Sequence, residues 1–366
     1  MIQLCHKNDA INNMTKSTIL NKRQEIILAF LEENKNPLAI AQIILKVDSS
    51  FKKTARITVI RDLNLLVKHG YITQYGKGRG VVYQLSVVYR SIKPIDIQSY
   101  FKIDPDKREI QKNFNFEVFA LLKNIFNKEE LAKLQMLNKI YQKNIKKLSP
   151  TALKREFERL VIELSWKSSK IEGNTYTLLE TEYLLREQKE PKGHSKEEAT
   201  MILNHKKALD FIRSHPAQFK KLSVPKIEDV HYLLTKDLSV ARNIRQRQVR
   251  ISGTAYTPLD NQFQIREAVQ KMCEFVNNQK NQFEKAFVAM LLIAYIQPFE
   301  DGNKRTSRVL GNAVLLALES CPLSFRSIDE LEYKKAILLF YEQNNFSYFK
   351  ELFINQFEFA VDNYFG

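Results

Sequence analysis

The sequence predicts a mainly α-helical protein, with a small α+β domain near its N-terminus and a larger all-α domain that carries one β-hairpin. Gly and Pro are scarce, ten of each among 366 residues, which favours helices over an all-β fold. Helical periods dominate from about Leu137 onward, whereas residues 21–90 show three helical periods and then a short β pattern. Hydrophobic and aromatic contents of 44% and 11% support packed cores and exclude a disordered chain.

The patterns divide the chain into four segments. We predict a flexible N-terminus, an α+β domain, a helical connector interrupted by prolines and a large helical domain, at residues 1–20, 21–90, 91–136 and 137–366.

Composition also restricts location and partners. The longest apolar run, Ala286–Ile296, has 11 residues, too few for a bilayer, which takes about 20, so we expect no membrane partner. The N-terminus lacks the apolar core of a secretion signal. The cysteines Cys5, Cys273 and Cys321 are far apart and lack metal-ligand spacing. Reduced thiols in a cytoplasmic protein are therefore expected.

The first domain contains three predicted helices and a hairpin. The helices cover Arg23–Glu33, a segment opened by Pro37, and Thr54–His69, and the hairpin strands lie at 71–75 and 81–85. This order resembles a winged helix-turn-helix, in which the third helix enters the DNA major groove and the hairpin tip contacts the backbone. The candidate DNA contacts are Lys53, Arg56, Thr58, Arg61, Lys77 and Arg79.

Charge supports a polyanionic partner for this domain. The net charge is +16, and residues 1–90 contain 14 Lys and Arg against 6 Asp and Glu, which is half of the excess. Duplex DNA is the expected partner. Docking to another protein stays open as an alternative, because winged helices also serve that purpose.

One dodecapeptide, Gln297–Arg308, carries most of the chemical information. Its sequence is Gln-Pro-Phe-Glu-Asp-Gly-Asn-Lys-Arg-Thr-Ser-Arg, a tight turn that leads from an apolar run into a basic helix. A Gly-containing turn at a helix N-terminus binds anions, since unpaired N–H groups and the helix dipole point the same way. Arg305 and Arg308 share a helix face and can hold phosphates. Asp301 can hold a divalent cation between phosphate oxygens. The segment therefore predicts a nucleotide polyphosphate site.

This segment closely resembles the core motif of the Fic (Fido) family, His-Pro-Phe-x-Asp-Gly-Asn-Gly/Lys-Arg-x-x-Arg. Most members transfer AMP from ATP to a hydroxyl of a target protein. The resemblance implies an all-α Fic fold with a β-hairpin flap, preceded by the small winged-helix (α+β) domain, and the cofactors ATP and Mg²⁺. Asp301 would bind Mg²⁺, and the phosphates would be bound by Gly302, Asn303, Lys304, Arg305 and Arg308. Gln297 replaces the catalytic histidine, and an amide cannot accept the hydroxyl proton near neutral pH.

Two further segments resemble parts of the same family. Ser168-Ser169-Lys170-Ile171-Glu172-Gly173 is similar to the Fic inhibitory motif, whose glutamate would pair with Arg308. The inhibitory residues would be Ser168, Glu172 and Gly173. Residues 249–258 alternate β-branched and polar residues around Gly253 and predict a hairpin. This segment resembles the Fic flap, which holds a target by strand addition, with Ile251, Ser252, Gly253 and Thr254 at its tip.

Two functions fit these residues. The first is a protein adenylyltransferase that Glu172 inhibits and that Gln297 weakens. The second is an inactive Fic protein that senses ATP and acts as a DNA-binding regulator. An enzyme needs both the phosphate site and a base, whereas a sensor needs only the phosphate site. The sequence identifies no target protein, and it leaves a homodimer open.

Overall fold

The computed structural model describes residues 20–34, 36–51, 53–86 and 88–365, with the backbone alone at Arg79. The predicted flexible segment lies outside the described residues, apart from Leu20. Described contacts divide the chain into two compact units, one up to Tyr100 and one from Phe101 onward. The boundaries that the sequence suggests for four segments stay predictions.

The first unit contains five α-helices and three strands in the part of the chain described. In chain order they are α1 (Lys22–Glu33), β1 (Leu38–Ala39), α2 (Ile40–Ser50), α3 (Arg56–Lys68), β2 (Ile72–Tyr75), β3 (Val82–Leu85), α4 (Tyr89–Ile92) and α5 (Ile97–Lys102), the last of which contains the division between the units.

Helix α1 begins at a capping box. The Asn21 side chain accepts a hydrogen bond from the Gln24 N–H, and the Gln24 side chain accepts one from the Asn21 N–H, each at 3.0 Å. This exchange satisfies N–H groups that have no partner within the helix. The carboxylate of Asp62 on α3 is buried and accepts hydrogen bonds from Asn21, Arg23 and Gln24. These polar contacts tie α1 to α3 beside an apolar core that includes Ile27 and Leu63.

The strands form one antiparallel sheet in the order β1, β3, β2. The hairpin pairs Tyr75 with Val82 and Ile72 with Leu85. Its turn needs glycine at Gly76, where φ is +82° and a Cβ would lie 2.5 Å from the Gly80 oxygen. The second helix begins three residues after Pro37, because Leu38 and Ala39 pair with β3 instead of joining α2.

The second unit is helical throughout its regular structure in the described residues. Its helices after α5 are α6 (Val118–Leu121), α7 (Lys128–Ile145), α8 (Pro150–Ile171), α9 (Leu178–Glu187), α10 (Lys196–Ser214), α11 (Val224–Thr235), α12 (Gln262–Asn277), α13 (Gln282–Ile296), α14 (Asn303–Ala317), α15 (Glu330–Gln343) and α16 (Ser347–Tyr364). The prediction of a mainly helical chain is confirmed.

Helix α13 is the centre of this unit. The apolar run Ala286–Ile296 is completely buried, as expected for a helix that is hydrophobic on all sides. Helix α14 lies against it closely, because Gly311 leaves room for Met290. A Cβ at Gly311 would lie 2.0 Å from the Met290 Cε. This packing fixes the two helix ends that the loop 297–302 connects.

The hairpin predicted for residues 249–258 is wrong for the described structure. The segment contains no strand, and Ser252 and Gly253 form an isolated turn. Its one regular contact is a single parallel bridge between Thr257 and Asn113.

Hydrogen bonds to other parts of the chain explain the missing hairpin. Nη2 of Arg108 donates to the Gly253 carbonyl at 3.3 Å. The N–H of Thr257 donates to the Lys112 carbonyl at 2.7 Å. Main-chain groups that two paired strands would satisfy are thus satisfied by a side chain and by a distant segment.

Within residues 20–34, 36–51, 53–86 and 88–365, no helix combines the length and the apolar character that crossing a membrane would require.

Candidate functional site

The site is the loop between α13 and α14, which begins and ends in left-handed backbone. Gln297 ends α13 with φ 51° and ψ 58°, and Gly302 precedes α14 with φ 79°. Glycine is needed at the second position, because a Cβ on Gly302 would lie 2.9 Å from Cγ2 of Thr235. These two left-handed residues turn the chain sharply, so the N-terminus of α14 lies beside the C-terminus of α13.

Side chains close the loop from within. The amide of Asn303 accepts from the Phe299 N–H at 2.9 Å and donates to the Phe299 carbonyl at 2.8 Å. The His231 ring stacks on Phe299 with 3.6 Å between centroids. The predicted phosphate contact of the Asn303 side chain stays a prediction, and the structure adds a second task for that side chain, closing the turn.

His231 supports the loop as a neutral ring. Its Nε2 lies 3.0 Å from the Asp301 carbonyl and its Nδ1 lies 3.2 Å from the Arg242 carbonyl. Burial lowers the pKa of His231 to about 4, although both carbonyls oppose the shift. The imidazole therefore does not add a positive charge behind the loop at neutral pH.

Arg305 and Asp301 form an ion pair at the mouth of the loop. Nη2 of Arg305 lies 2.9 Å from Oδ2 of Asp301. The Arg305 side chain is buried, while that of Asp301 is 70% exposed. Asp301 is therefore open to an added cation, while the guanidinium stays fixed beneath it.

Arg308, also on α14, is held by α8. Its Nε donates to Oγ of Ser168 at 2.9 Å, and its Nη2 donates to the Ser168 carbonyl at 2.9 Å and to Oε1 of Glu172 at 2.8 Å. The guanidinium carbon lies 5.2 Å from the centre of the Tyr333 ring. The second arginine of the dodecapeptide thus contacts the glutamate that the family resemblance pairs with it.

The charges around Glu172 keep it ionised. Burial raises the pKa of its carboxyl, but the charges of Arg308 and Lys304 and the hydrogen bond from Arg308 outweigh burial and lower it. The Lys304 Nζ lies 3.6 Å from Oε2 of Glu172. A carboxylate therefore lies beside the predicted phosphate-binding cations.

A helix end aims Glu172 at these cations. Helix α8 stops at Ile171, and Gly173 follows with φ 99°. The N–H of Asn174 returns to the Ser169 carbonyl at 3.1 Å. The Gly173 and Asn174 positions thus end the helix in the usual way, and the same turn presents Glu172 to α14.

The Gln297 side chain points into the protein. Its Nε2 donates to the Ala294 carbonyl at 2.6 Å and to the Tyr341 hydroxyl at 3.1 Å. Burial raises the pKa of Tyr341 well above its ordinary value, so this partner remains a neutral phenol. The main-chain carbonyl of Gln297 accepts a hydrogen bond from Nε of Arg245 at 2.7 Å. Two hydrogen bonds thus fix the side-chain amide of Gln297 inside the protein.

The residues predicted as the flap belong to a segment that is attached to the C-terminal end of α13. Ser252 and Gly253 are exposed, and Ile251 and Thr254 are half-buried. Tyr256 anchors the segment, since its hydroxyl donates to the Tyr295 carbonyl at 2.9 Å. Tyr295 lies two residues before Gln297, so the segment is attached to the same end of α13 as the loop.

Sequence reasoning missed several residues that shape this site. Thr235 and Arg245 support the loop, and Tyr341 and Tyr333 contact Gln297 and Arg308. The tyrosines belong to an aromatic-rich stretch that reads as ordinary core. No local signal separates them from their neighbours.

No group of three or more His, Cys, Asp or Glu able to hold a metal occurs in the described part of the chain. The exposed carboxylates of the loop are those of Glu300 and Asp301. One carboxylate completed by phosphate oxygens and water is a normal arrangement for Mg²⁺, so the residues fit a metal that arrives with a nucleotide.

The DNA-binding candidates lie on the first unit. Lys53, Arg56, Arg61 and Lys77 are exposed, and Thr58 is half-buried. The side chain of Arg79 lies outside the described residues.

The region that contains this loop is similar to known proteins. Residues 221–315 match the model of the Fic/DOC family. The protein adenylyltransferase Fic of Nematostella vectensis is 26% identical over 212 residues, which are 54% of this chain and 48% of that protein. Protein adenylyltransferase fic-1 of Caenorhabditis elegans is 26% identical over 174 residues, 45% of this chain and 34% of that protein. The chain thus spans between a third and a half of these relatives.

Solved structures show the fold. Fic-1 from C. elegans, a fragment of that protein, superimposes with a TM-score of 0.57 at 21% identity, over 64% of this chain and 72% of the fragment. A Fic-domain signalling protein from Bacteroides thetaiotaomicron superimposes with a TM-score of 0.52 at 21% identity, over 63% and 92% of the two chains. The chain has the helical Fic fold together with a small β part, and its match to the Fic/DOC family covers residues 221–315. The family match includes Gln297–Arg308 and residues 249–258, whereas Ser168–Gly173 lies outside it.

Proposed function

We propose that this protein is a Fic-type protein adenylyltransferase, which transfers AMP from ATP to a hydroxyl of a target protein and which Glu172 holds inhibited. One observation carries the proposal: Glu172 binds Arg308 at 2.8 Å, beside the N-terminus of α14. A buried arginine near an anion-binding helix end, already paired with a carboxylate, supports the proposal of an inhibited phosphate site. The relatives named protein adenylyltransferase support the reaction.

ATP would occupy the loop through its phosphates. The first N–H groups of α14 would bind one phosphate, and Arg305 and Arg308 would bind the other two. Asp301 would hold Mg²⁺, which neutralises charge on the phosphate oxygens. The target hydroxyl would attack the α-phosphorus, the bond to the bridging oxygen would break, and pyrophosphate would leave.

Inhibition follows from competition for Arg308. While Glu172 accepts from Nη2 of Arg308, this donor is closed to a terminal phosphate, and the carboxylate repels that phosphate. The nucleotide would then bind with its α-phosphate out of line for attack.

Gln297 limits the rate. The attacking hydroxyl must lose a proton, and an amide cannot take it at neutral pH. Loss of general-base help costs roughly 100- to 10,000-fold. Histidine tolerates left-handed backbone better than most residues, so Gln297→His is a suitable test of the missing base.

The experiment incubates the purified chain with labelled ATP, Mg²⁺ and cell lysate. The wild type, Gln297→His, Glu172→Gly and the double variant are compared. Transfer is expected to rise in the order wild type, single variants, double variant. Absence of ATP binding by every variant would overturn the proposal.

A second function is favoured by the inward hydrogen bonds of Gln297. Its amide is bound to Ala294 and Tyr341, while the cations predicted to bind phosphate, Arg305 and Arg308, are both present. We propose as the alternative an ATP-sensing regulator, with duplex DNA bound by the first unit through the exposed Lys53, Arg56 and Arg61. ATP binding by Glu172→Gly with transfer restricted to Gln297→His variants would support this alternative over the enzyme.

A further inference from the structure

The two oxygens of the Glu172 carboxylate contact two different cations on one helix. Its Oε1 accepts from Arg308 at 2.8 Å, and its Oε2 lies 3.6 Å from Nζ of Lys304. The Lys304 and Glu172 side chains are only 26% and 20% exposed. Because water screens partly buried charges less than exposed ones, the Lys304 contact contributes to the hold on Glu172.

Lys304 stands where helix electrostatics disfavours a cation. Helix α14 begins at Asn303, so Lys304 lies in its first turn, at the positive end of the helix dipole. That turn contains no acidic residue, and Arg305 adds a second cation that pairs with Asp301. Among the described residues, the carboxylate that forms an ion pair with Lys304 is that of Glu172. An anion from outside α14 therefore stabilises this helix end.

We propose that Lys304 is a shared cation, which holds Glu172 in the closed site and binds the terminal phosphate of a nucleoside triphosphate once Glu172 has left. The inference rests on the proposed nucleotide site. Arg308 and Lys304 hold the same carboxylate, so the departure of Glu172 frees the Lys304 amine and removes the carboxylate from Nη2 of Arg308, while Ser168 keeps the guanidinium in place. A terminal phosphate, with charge spread over three oxygens, can accept from both.

The number of phosphates then distinguishes nucleotides. A nucleoside triphosphate carries the terminal phosphate that Lys304 and Arg308 would share, whereas a diphosphate ends one phosphate earlier. The departure of Glu172 also removes one negative charge from beside the cations Lys304, Arg305 and Arg308. The open site therefore favours the more negatively charged nucleotide.

Calorimetric titration of the full chain tests this inference. Mg²⁺·ATP and Mg²⁺·ADP are titrated into the wild type, Lys304→Ala, Glu172→Gly and the double variant. In the Glu172→Gly background, removal of the Lys304 amine is expected to weaken ATP binding roughly tenfold or more and ADP binding less than about threefold. With Glu172 present, the loss for ATP is expected to be much smaller, because the looser hold on Glu172 offsets the lost phosphate contact.

Lys170→Ala is the matched control. Its amine lies near the end of α8 but is 3.9 Å from Glu330 on α15, so neither affinity should change. Equal losses in both backgrounds, or equal losses for ATP and ADP, would overturn the shared role of Lys304. If folded Glu172→Gly binds neither nucleotide, the proposed function fails. If it binds both and ignores Lys304→Ala, this inference alone fails.

Discussion

Arg308 and Glu172 are separated by 136 residues in sequence, yet Nη2 of the arginine lies 2.8 Å from Oε1 of the glutamate. The Arg308 side chain is fully buried, and Ser168 accepts from the same guanidinium. A cation withdrawn from water needs an anion beside it. The pair therefore has a structural role in joining α8 to α14, besides the inhibition proposed for Glu172.

The first prediction concerns the pH dependence of this pair. Glu172→Gln should lower the free energy of unfolding at pH 7 by about 2 kcal/mol, because Arg308 loses its counter-charge. The pKa of Glu172 is lowered in the folded protein from an ordinary 4.5, so its stabilisation is present above that value and is lost as pH falls through the lowered pKa. Urea unfolding from pH 7 to pH 3 should show the difference between the two proteins shrinking.

Glu187→Gln provides the control for that series. Glu187 ends α9 and is exposed, so its substitution should leave stability unchanged at every pH. A constant difference between wild type and Glu172→Gln down to pH 3 would contradict the ionised pair.

The second prediction concerns the sharp turn before α14. Gly302→Ala should destabilise the protein by about 2 kcal/mol or more, because alanine is strained at φ 79° and its Cβ would meet Thr235 Cγ2 at 2.9 Å. Adding Thr235→Ser removes that methyl and keeps the hydroxyl, which donates to the His231 carbonyl. The double variant should recover the steric part of the loss in thermal unfolding, but not the backbone part.

Gly193→Ala separates these two parts. Gly193 has φ 96° but open space around its Cβ position, so its alanine variant should show the backbone cost alone. Equal losses at both glycines would show that Thr235 does not restrict the turn.

The third prediction concerns a buried ion pair beneath the flap segment. Nη1 of Arg108 donates to both oxygens of Glu342, at 2.8 and 2.9 Å, and Nη2 donates to the Gly253 carbonyl at 3.3 Å. Arg108→Ala should cost about 3 to 5 kcal/mol, because it leaves the buried Glu342 charge without this partner. Chemical denaturation measures the loss, and faster amide exchange at Gly253 and Thr254 should accompany it.

The adjacent Lys107 supplies a control in the same segment. Both side chains of its ion pair with Asp104 are exposed. Lys107→Ala should therefore lower the free energy of unfolding by less than about 1 kcal/mol. Similar losses for Lys107→Ala and Arg108→Ala would mean that the Arg108 pair does not anchor the flap segment.

Local patterns in the sequence were sufficient for the helices and for the loop between α13 and α14. The run Ala286–Ile296 and the turn Gln297–Gly302 carry their information in consecutive residues, so periodicity and turn chemistry predict them. The flap could not be predicted in the same way. Its residues alternate as a hairpin does, but Arg108 and Lys112 satisfy main-chain groups of Gly253 and Thr257 instead.

Long-range contacts account for the rest of the site. Tyr341 reaches Gln297 from 44 residues away, and Ser168 reaches Arg308 from 140 residues away. The Ser168 motif was found only through its resemblance to a family. Nothing in the spacing of Tyr341 distinguishes it from the other aromatic residues around it, because tertiary packing alone selects it.

The fourth prediction concerns the basic surface of the first unit. If α3 contacts duplex DNA, Arg56→Ala and Arg61→Ala in the full chain should each reduce affinity and lower the salt slope by about one unit per lost phosphate contact. Both residues are exposed on α3. Fluorescence anisotropy with a labelled duplex, repeated at several salt concentrations, measures the affinity and the slope.

Lys46→Ala is the matched control for this surface. Lys46 lies on α2, is 40% exposed and stands 4.0 Å from Glu33, so its removal takes away the same charge without changing α3. A salt slope altered as much by Lys46→Ala as by Arg61→Ala would indicate a diffuse effect of net charge. A slope that none of the three substitutions changes would exclude α3 from DNA binding and favour a protein-docking role for the first unit.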